Sequence, residues 1–366
     1  TLPGTSLDQA NEYGNLIEGA PLVWEAAGGG RITANGVYVA GLQTGPFPGA
    51  VRVTLPPRAL GNRSALTATA SVTVRQRSAD ILAVEALDAE GGGIVLIDLA
   101  TAAISPLSSS LAENKAREFA PNWTADGARM VFGGQHQDKY QIFDVDFASG
   151  KVRRLTDDPA GAVMPAISPD GKKLAFVSIE QEAWQVYVAD LSAFAGGAEA
   201  APISRQNSKR LTRNGDLRHL MPRWSPDGKT LAYTSDNGQG SLKIVLVNAD
   251  GADERTINQG AISEGFFGWS RDGALLLAGR DRGDGGFELI TVNLATGARR
   301  PLADLPFPVL MASWSPDDSE VAIVDAAVGA MWLMDSDGTG FRQALPEEVQ
   351  PRRPAWRPVA LKVPAP

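Results

Sequence analysis

At 366 residues the chain exceeds the roughly 250–300 at which a single hydrophobic core stops growing, so two domains are expected. Hydrophobic residues at 43% and charged residues at 21% supply ample core, and 39 Gly with 24 Pro favour an all-β protein rich in turns. A net charge of −8 with a pI near 5.0 argues against nucleic acid as a partner, the absence of cysteine excludes disulfides and thiolate chemistry, and no apolar run reaches the roughly 20 residues that cross a bilayer.

In chain order, Thr1-Leu2-Pro3-Gly4 lacks the basic and apolar regions of a signal peptide and reads as a processed or trimmed start. Leu22–Glu25, Gly36–Gly41, Val51–Thr54 and Ala68–Val74 are short alternating strands between Gly/Pro turns. Asn62-Arg63-Ser64 fits a glycosylation sequon, and Gln76-Arg77-Ser78 is a polar break. These features predict a first domain over 1–77, a second over 79–358 and a tail over 359–366.

From residue 79 onward one motif recurs. Its copies are Trp123-Thr124-Ala125-Asp126-Gly127, Ile167-Ser168-Pro169-Asp170-Gly171, Trp224-Ser225-Pro226-Asp227-Gly228, Trp269-Ser270-Arg271-Asp272-Gly273, Trp314-Ser315-Pro316-Asp317-Asp318 and a degenerate Trp356-Arg357-Pro358. Successive copies lie 44, 57, 45, 45 and 42 residues apart, the period of a propeller blade. The long step holds an Ala/Gly/Ser-rich stretch, Ser192–Ser204, expected as a surface loop. Within each period the Trp ends a first strand. Ser-Pro-Asp-Gly then turns the chain, because Pro presets φ, Asp bonds the backbone ahead and Gly accepts a positive φ. An apolar second strand follows, then a third ending in Asp146, Asp190, Asn248, Asn293 or Asp335, then a polar fourth. Ile81–Val84, Ile94–Asp98 and Ile104–Leu107 are second, third and fourth strands without a first, and Pro354–Pro358 is a first without followers. The two ends therefore complete one blade and close a ring of six, which removes the open sheet edges.

The run Trp224-Ser225-Pro226-Asp227-Gly228-Lys229-Thr230-Leu231-Ala232-Tyr233, with its near-copies, resembles the repeat of the TolB family propeller over about residues 79–358. The strands before residue 78 resemble a bacterial Ig-like module, and Asp8–Asn15 resembles that family's loop after its second strand. The resemblance implies a six-bladed β-propeller preceded by an Ig-like β-sandwich, on a periplasmic or cell-surface protein. It also implies protein interaction or scaffolding, including service as an accessory subunit on the outer face of a membrane complex.

Chemistry is sparse. Two histidines, His136 and His219, form no ligand-spaced cluster, so neither a metal nor a cofactor is expected, and no Gly-x-Ser-x-Gly elbow is present. Asp335-Ser336-Asp337-Gly338 reads as a plain turn rather than a calcium loop. A basic cluster, Arg205, Lys209, Arg210, Arg213, Arg218 and Arg223, reads as a solvated edge. The third residue before the repeat position is Ala120, Met164, Met221, Phe266, Met311 or Arg353. The fifth gives Glu118, His219 and Glu264, and Arg352 adds charge beside Arg353. Two readings follow for this ring: an exposed mouth that takes a peptide or protein, or packing that fills the channel top. The alternative function, a hydrolase on peptide or carbohydrate, requires Glu118 and Glu264 as paired carboxylates at the mouth.

Overall fold

The turn after each repeat residue sets the architecture. At the copy with the intact motif, Ser225 Oγ donates to Asp227 (2.7 Å) and accepts the Thr230 N–H (3.0 Å), while Asp227 accepts the Lys229 N–H (3.1 Å). Gly228 takes φ +69°, and the chain reverses into the next strand. The same bonds recur at Thr124/Asp126, Ser168/Asp170, Ser270/Asp272 and Ser315/Asp317.

The computed structural model describes residues 23–26, 30–32, 38–40, 45–55, 66–74, 81–86, 92–99, 103–107, 117–180, 183–197, 201–213, 217–236, 239–258, 262–283, 285–345 and 349–358. The chain divides into two units, Thr1–Arg77 and Ser78–Pro366. In the first, β1 (Val23–Ala26), β4 (Gly45–Leu55) and β5 (Leu66–Val74) form one antiparallel sheet, and β2 (Gly30–Ile32) pairs with β3 (Tyr38–Ala40). Gly30–Ile32 had no strand signal in the sequence reading. Asp8–Asn15, the sequon at Asn62 and the tail over 359–366 lie outside the described residues.

The second unit is a propeller of four-stranded antiparallel groups. One group runs β29 (Pro351–Trp356), β6 (Ile81–Ala86), β7 (Gly93–Asp98), β8 (Ala103–Pro106). Next come β9 (Phe119–Trp123), β10 (Arg129–His136), β11 (Lys139–Asp146) and β12 (Val152–Arg154). The group of β13 (Ala162–Ile167), β14 (Lys173–Glu180), β15 (Ala183–Asp190) and β16 (Lys209–Arg210) follows. β17 (Arg218–Trp224), β18 (Thr230–Asp236), β19 (Leu242–Asn248) and β20 (Arg255–Thr256) form another. Then come β21 (Glu264–Trp269), β22 (Leu275–Asp281), β23 (Phe287–Asn293) and β24 (Arg299–Pro301). Last are β25 (Val309–Trp314), β26 (Glu320–Asp325), β27 (Met331–Asp335) and β28 (Arg342–Leu345). The first strands touch in the circular order β29, β9, β13, β17, β21, β25 and back to β29. Burial falls outward within each group: β26 is buried throughout, whereas β8, β16 and β20 are exposed throughout.

Two features depart from the sequence reading. Ser192–Gly197 is a 3₁₀ helix whose Phe194 is buried under Arg153, and Ile203 pairs with Thr156 of the neighbouring group, so the described part of this insertion lies at the surface, with Ser192, Ala193, Ala201 and Pro202 exposed, but is anchored by two buried side chains. Apolar Phe194 and Ile203 in an otherwise small-residue stretch are the physical reason.

The other is a bulge in the first strand. Pro occupies the second place before the repeat residue in four groups (Pro121, Pro165, Pro222, Pro354), and the residue ahead of it takes a left-handed φ: Ala120 +51°, Met164 +52°, Met221 +53°, Arg353 +47°. Proline has no N–H to give the ladder, so two residues there oppose one on the second strand.

Candidate functional site

The first strands surround the axis, so residues at one offset from the repeat position form rings. Directly before it stand Asn122, Ala166, Arg223, Gly268, Ser313 and Ala355. Their carbonyls receive the indoles of the next group: Trp123 Nε1 donates to Ala355 O (3.0 Å), Trp224 to Ala166 O (3.0 Å), Trp269 to Arg223 O (3.2 Å) and Trp356 to Ser313 O (3.0 Å). Where Ile167 replaces the Trp, its own N–H donates to Asn122 Oδ1 (2.9 Å). Trp314 breaks the pattern: its Nε1 is buried and has no hydrogen-bond partner.

Beside it opens a cavity of about 290 Å³ in the channel. All five repeat tryptophans line it, together with Met221, Met311, Arg223, Gly268, Arg271, Asp318 and Arg353. Apart from its two chain neighbours, no residue has a heavy atom within 4 Å of where a Cβ would sit on Gly268. Asp318 stands where the other turns have Gly, at φ +60°, and its two oxygens accept the Arg271 N–H (2.8 and 3.0 Å). Burial raises its pKa, with Asp272 and Asp317 adding to the effect.

Two cations, Arg223 and Arg353, line this space. Their strands, β17 and β29, lie three places apart in the circular order of the described first strands. Burial pushes the Arg223 guanidinium down to about 10, and the charge of Arg353 pushes the same way. Arg353 Nη1 pairs with buried Glu85, while its Nε is buried without a partner. Among the described residues Arg223 has no carboxylate partner; its Nη1 donates to the adjacent Pro222 O (3.0 Å).

The expected ring divides. Met221, Met311 and Arg353 line the cavity, whereas Met164 and Phe266 are buried in hydrophobic core, Phe266 completely. Glu118, His219 and Glu264 are buried and do not line the cavity, and Arg352 is exposed outside it. Glu118 Oε2 accepts the Ile94 N–H (3.3 Å), and burial raises its carboxyl to about 7. Both Glu264 oxygens accept Arg299 Nε (2.9 and 3.0 Å). His219 meets the Tyr233 ring edge to face, 5.2 Å between centroids.

The bulge accounts for the fifth positions. In a regular strand the first, third and fifth residues before Trp share a face, but one extra residue inverts the alternation upstream of it. In β17 the partners of Arg223 and Leu220 are Ala232 and Thr234, two apart, so the first and fourth positions share one face of the strand and the fifth, His219, lies on the other. In β25 the irregularity lies upstream, between Val309 and Met311, which keeps Met311 on the channel face. The sequence reading missed Arg223, Gly268 and Trp314 as site residues; the ring directly before Trp, small everywhere but at Asn122 and Arg223, was the available signal.

Among the described residues no three His, Asp or Glu side chains could hold a metal ion together, and no helix is long and apolar enough to cross a membrane.

Comparison with known proteins agrees with the propeller fold. A Protein TolB homolog of Chlorobaculum tepidum is 31% identical over 134 residues, 37% of this chain and 27% of the relative. Tricorn protease homolog 1 of Streptomyces coelicolor is 32% identical over 118 residues, 31% of this chain and 10% of the relative. The chain thus spans about a quarter or less of these curated relatives. The crystal structure of TolB from Acinetobacter baumannii superposes with a TM-score of 0.64 at 19% identity, covering 92% of this chain and 83% of that one, a likeness of fold. The family described as TolB beta propeller domain matches residues 78–318, and the chain belongs to that family.

Proposed function

We propose that this chain is a binding module rather than an enzyme: a six-bladed propeller whose channel takes a protein or peptide partner, preceded by an Ig-like module, in the periplasm or at the cell surface. In this reading each four-stranded group is a blade, and the partner belongs to a membrane complex on its outer face. The observation that carries the proposal is the channel cavity, where flexible Met221 and Met311 thioethers, tryptophan rings and two arginines converge. Methionine adapts to irregular apolar surfaces, and a few polar groups among apolar ones fix orientation. The hydrolase reading needs Glu118 and Glu264 free at the mouth, yet both are buried away from the cavity and Glu264 is held by Arg299.

The test replaces Met221 and Met311 together by Gln, which keeps side-chain length while adding polarity. Capture of envelope proteins by the native chain, identified by mass spectrometry, should lose a specific partner in the variant. A partner captured equally by both chains places the interface elsewhere.

A further inference from the structure

An acidic chain that brings two arginines into one half-enclosed channel carries a local excess of positive charge. Arg223 is the large residue in a ring otherwise made of Asn122, Ala166, Gly268, Ser313 and Ala355. Arg353 commits one nitrogen to Glu85 and leaves Nε buried and unpartnered. Asp318, the carboxylate on the same cavity, turns both oxygens to the Arg271 N–H. Trp314, 9% exposed, adds a second orphaned donor, and the space over Gly268 is open. Three groups that donate to anions thus surround one cavity, and the two guanidiniums repel each other until an anion sits between them.

We propose that the channel holds a carboxylate of its peptide partner between Arg223 and Arg353, with Trp314 Nε1 as a further donor. The proposal rests on the reading of the channel as a peptide site. A carboxylate matches the planar fork of a guanidinium, and a cavity of about 290 Å³ admits one or two residues of a chain rather than a large ligand. Met221 and Met311 on the same wall suit the apolar part of such a segment. The carboxylate comes either from a chain terminus or from an Asp or Glu side chain.

Calorimetry on the full chain with four probes tests this. The probes are N-acetyl-Ala-Ala-Leu with a free terminal carboxylate, its amide, N-acetyl-Ala-Glu-Leu amide, and inorganic phosphate. One of the two carboxylate probes should bind at least tenfold tighter than the neutral amide, and which one does identifies the source. Arg223→Gln should abolish the preference without lowering the melting temperature, because it removes one of two repelling charges. Arg223→Lys should keep part of it. In spectra of the ¹⁵N-labelled indoles, the carboxylate should shift the Trp314 N–H, assigned by Trp314→Phe.

Equal binding of acid and amide, a preference that survives Arg223→Gln, tighter binding of phosphate, or no binding of either acid overturns the proposal. If the envelope partner is still captured by Arg223→Gln, the interaction stands and the carboxylate assignment falls. If no partner is captured while the acid binds, the site stands and the protein-interaction reading falls.

Discussion

Glu118 shows what single residues in this propeller hold. It is fully buried, one oxygen accepts a backbone N–H and the other accepts nothing, so burial favours the neutral acid and raises its pKa to about 7. Because the folded value lies above the unfolded one near 4.5, the folded state keeps a proton that the unfolded chain releases. This contribution is full below about pH 4.5 and is lost as pH rises through about 7. Glu118→Gln keeps the acceptor and removes the titration. The variant should therefore gain on the native protein between pH 5 and 8, by up to about 2–3 kcal/mol, a figure that structural relaxation reduces. Melting temperatures of both across that range decide it, and parallel curves would mean Glu118 is ionised and solvated. None of this was legible in the sequence, where Glu118 was a carboxylate at a shared offset, because burial depends on the parity that the bulge inverts.

At the scale of the element, the repeated turn was read in detail because its chemistry is local: Ser, Asp and Gly bond within five residues of one another. Ser225→Ala removes a buried hydroxyl that serves both Asp227 and the Thr230 N–H and should cost about 1–2 kcal/mol in denaturant unfolding. The turn also carries a pH signature. Hydrogen bonds hold the carboxyl groups of Asp126, Asp170, Asp227 and Asp272 below their ordinary value, led by the Ser or Thr hydroxyl in the first three and by the Ala274 N–H in the last. Depressed folded values mean stability that is present above the unfolded pKa near 3.8 and lost as pH falls through the folded ones. The protein should thus lose stability steeply below about pH 4, and replacing all four by Asn should flatten that limb of the melting curve. The bulge lies between these two cases. Pro121, Pro165, Pro222 and Pro354 stand at one offset, and a proline inside a strand is a bulge signal, so this irregularity is legible in the sequence. What no pattern supplied was which side chains line the channel cavity, since that follows from the first strands meeting in space.

For the molecule as a whole, the decisive pairing joins residues about 270 positions apart: β29 lies along β6, with Trp356 opposite Leu82 and Pro351 opposite Ala86. This pairing was read from strand counting alone, because three strands without a first and a first without followers admit one arrangement. Its energetic consequence is global. β29 contributes Trp356, buried and bonded to Ser313 O in the preceding group, and Ala355, whose carbonyl receives the Trp123 indole from the following one. Arg357 then lies over the Trp123 and Phe147 rings and donates to Gly127 O (2.8 Å). Deleting residues 351–366 therefore removes links on both sides of the ring, uncovers the fully buried Leu82, Ala83 and Val84, and leaves the edge of β6 unpaired. Loss of the buried Trp alone costs about 3–5 kcal/mol, and a drop of that size in a unit of this length lowers the melting temperature by roughly 5–8 °C. The loss should appear as one cooperative transition of the whole Ser78–Pro366 unit, because an indole bond, or the Ile167–Asn122 bond, links each first strand to its neighbour everywhere except at Trp314. Calorimetry of the truncated chain checks both the shift and its shape. An unchanged transition, or a small early one that leaves the main peak in place, would show that the strand frays independently and that the ring does not depend on it.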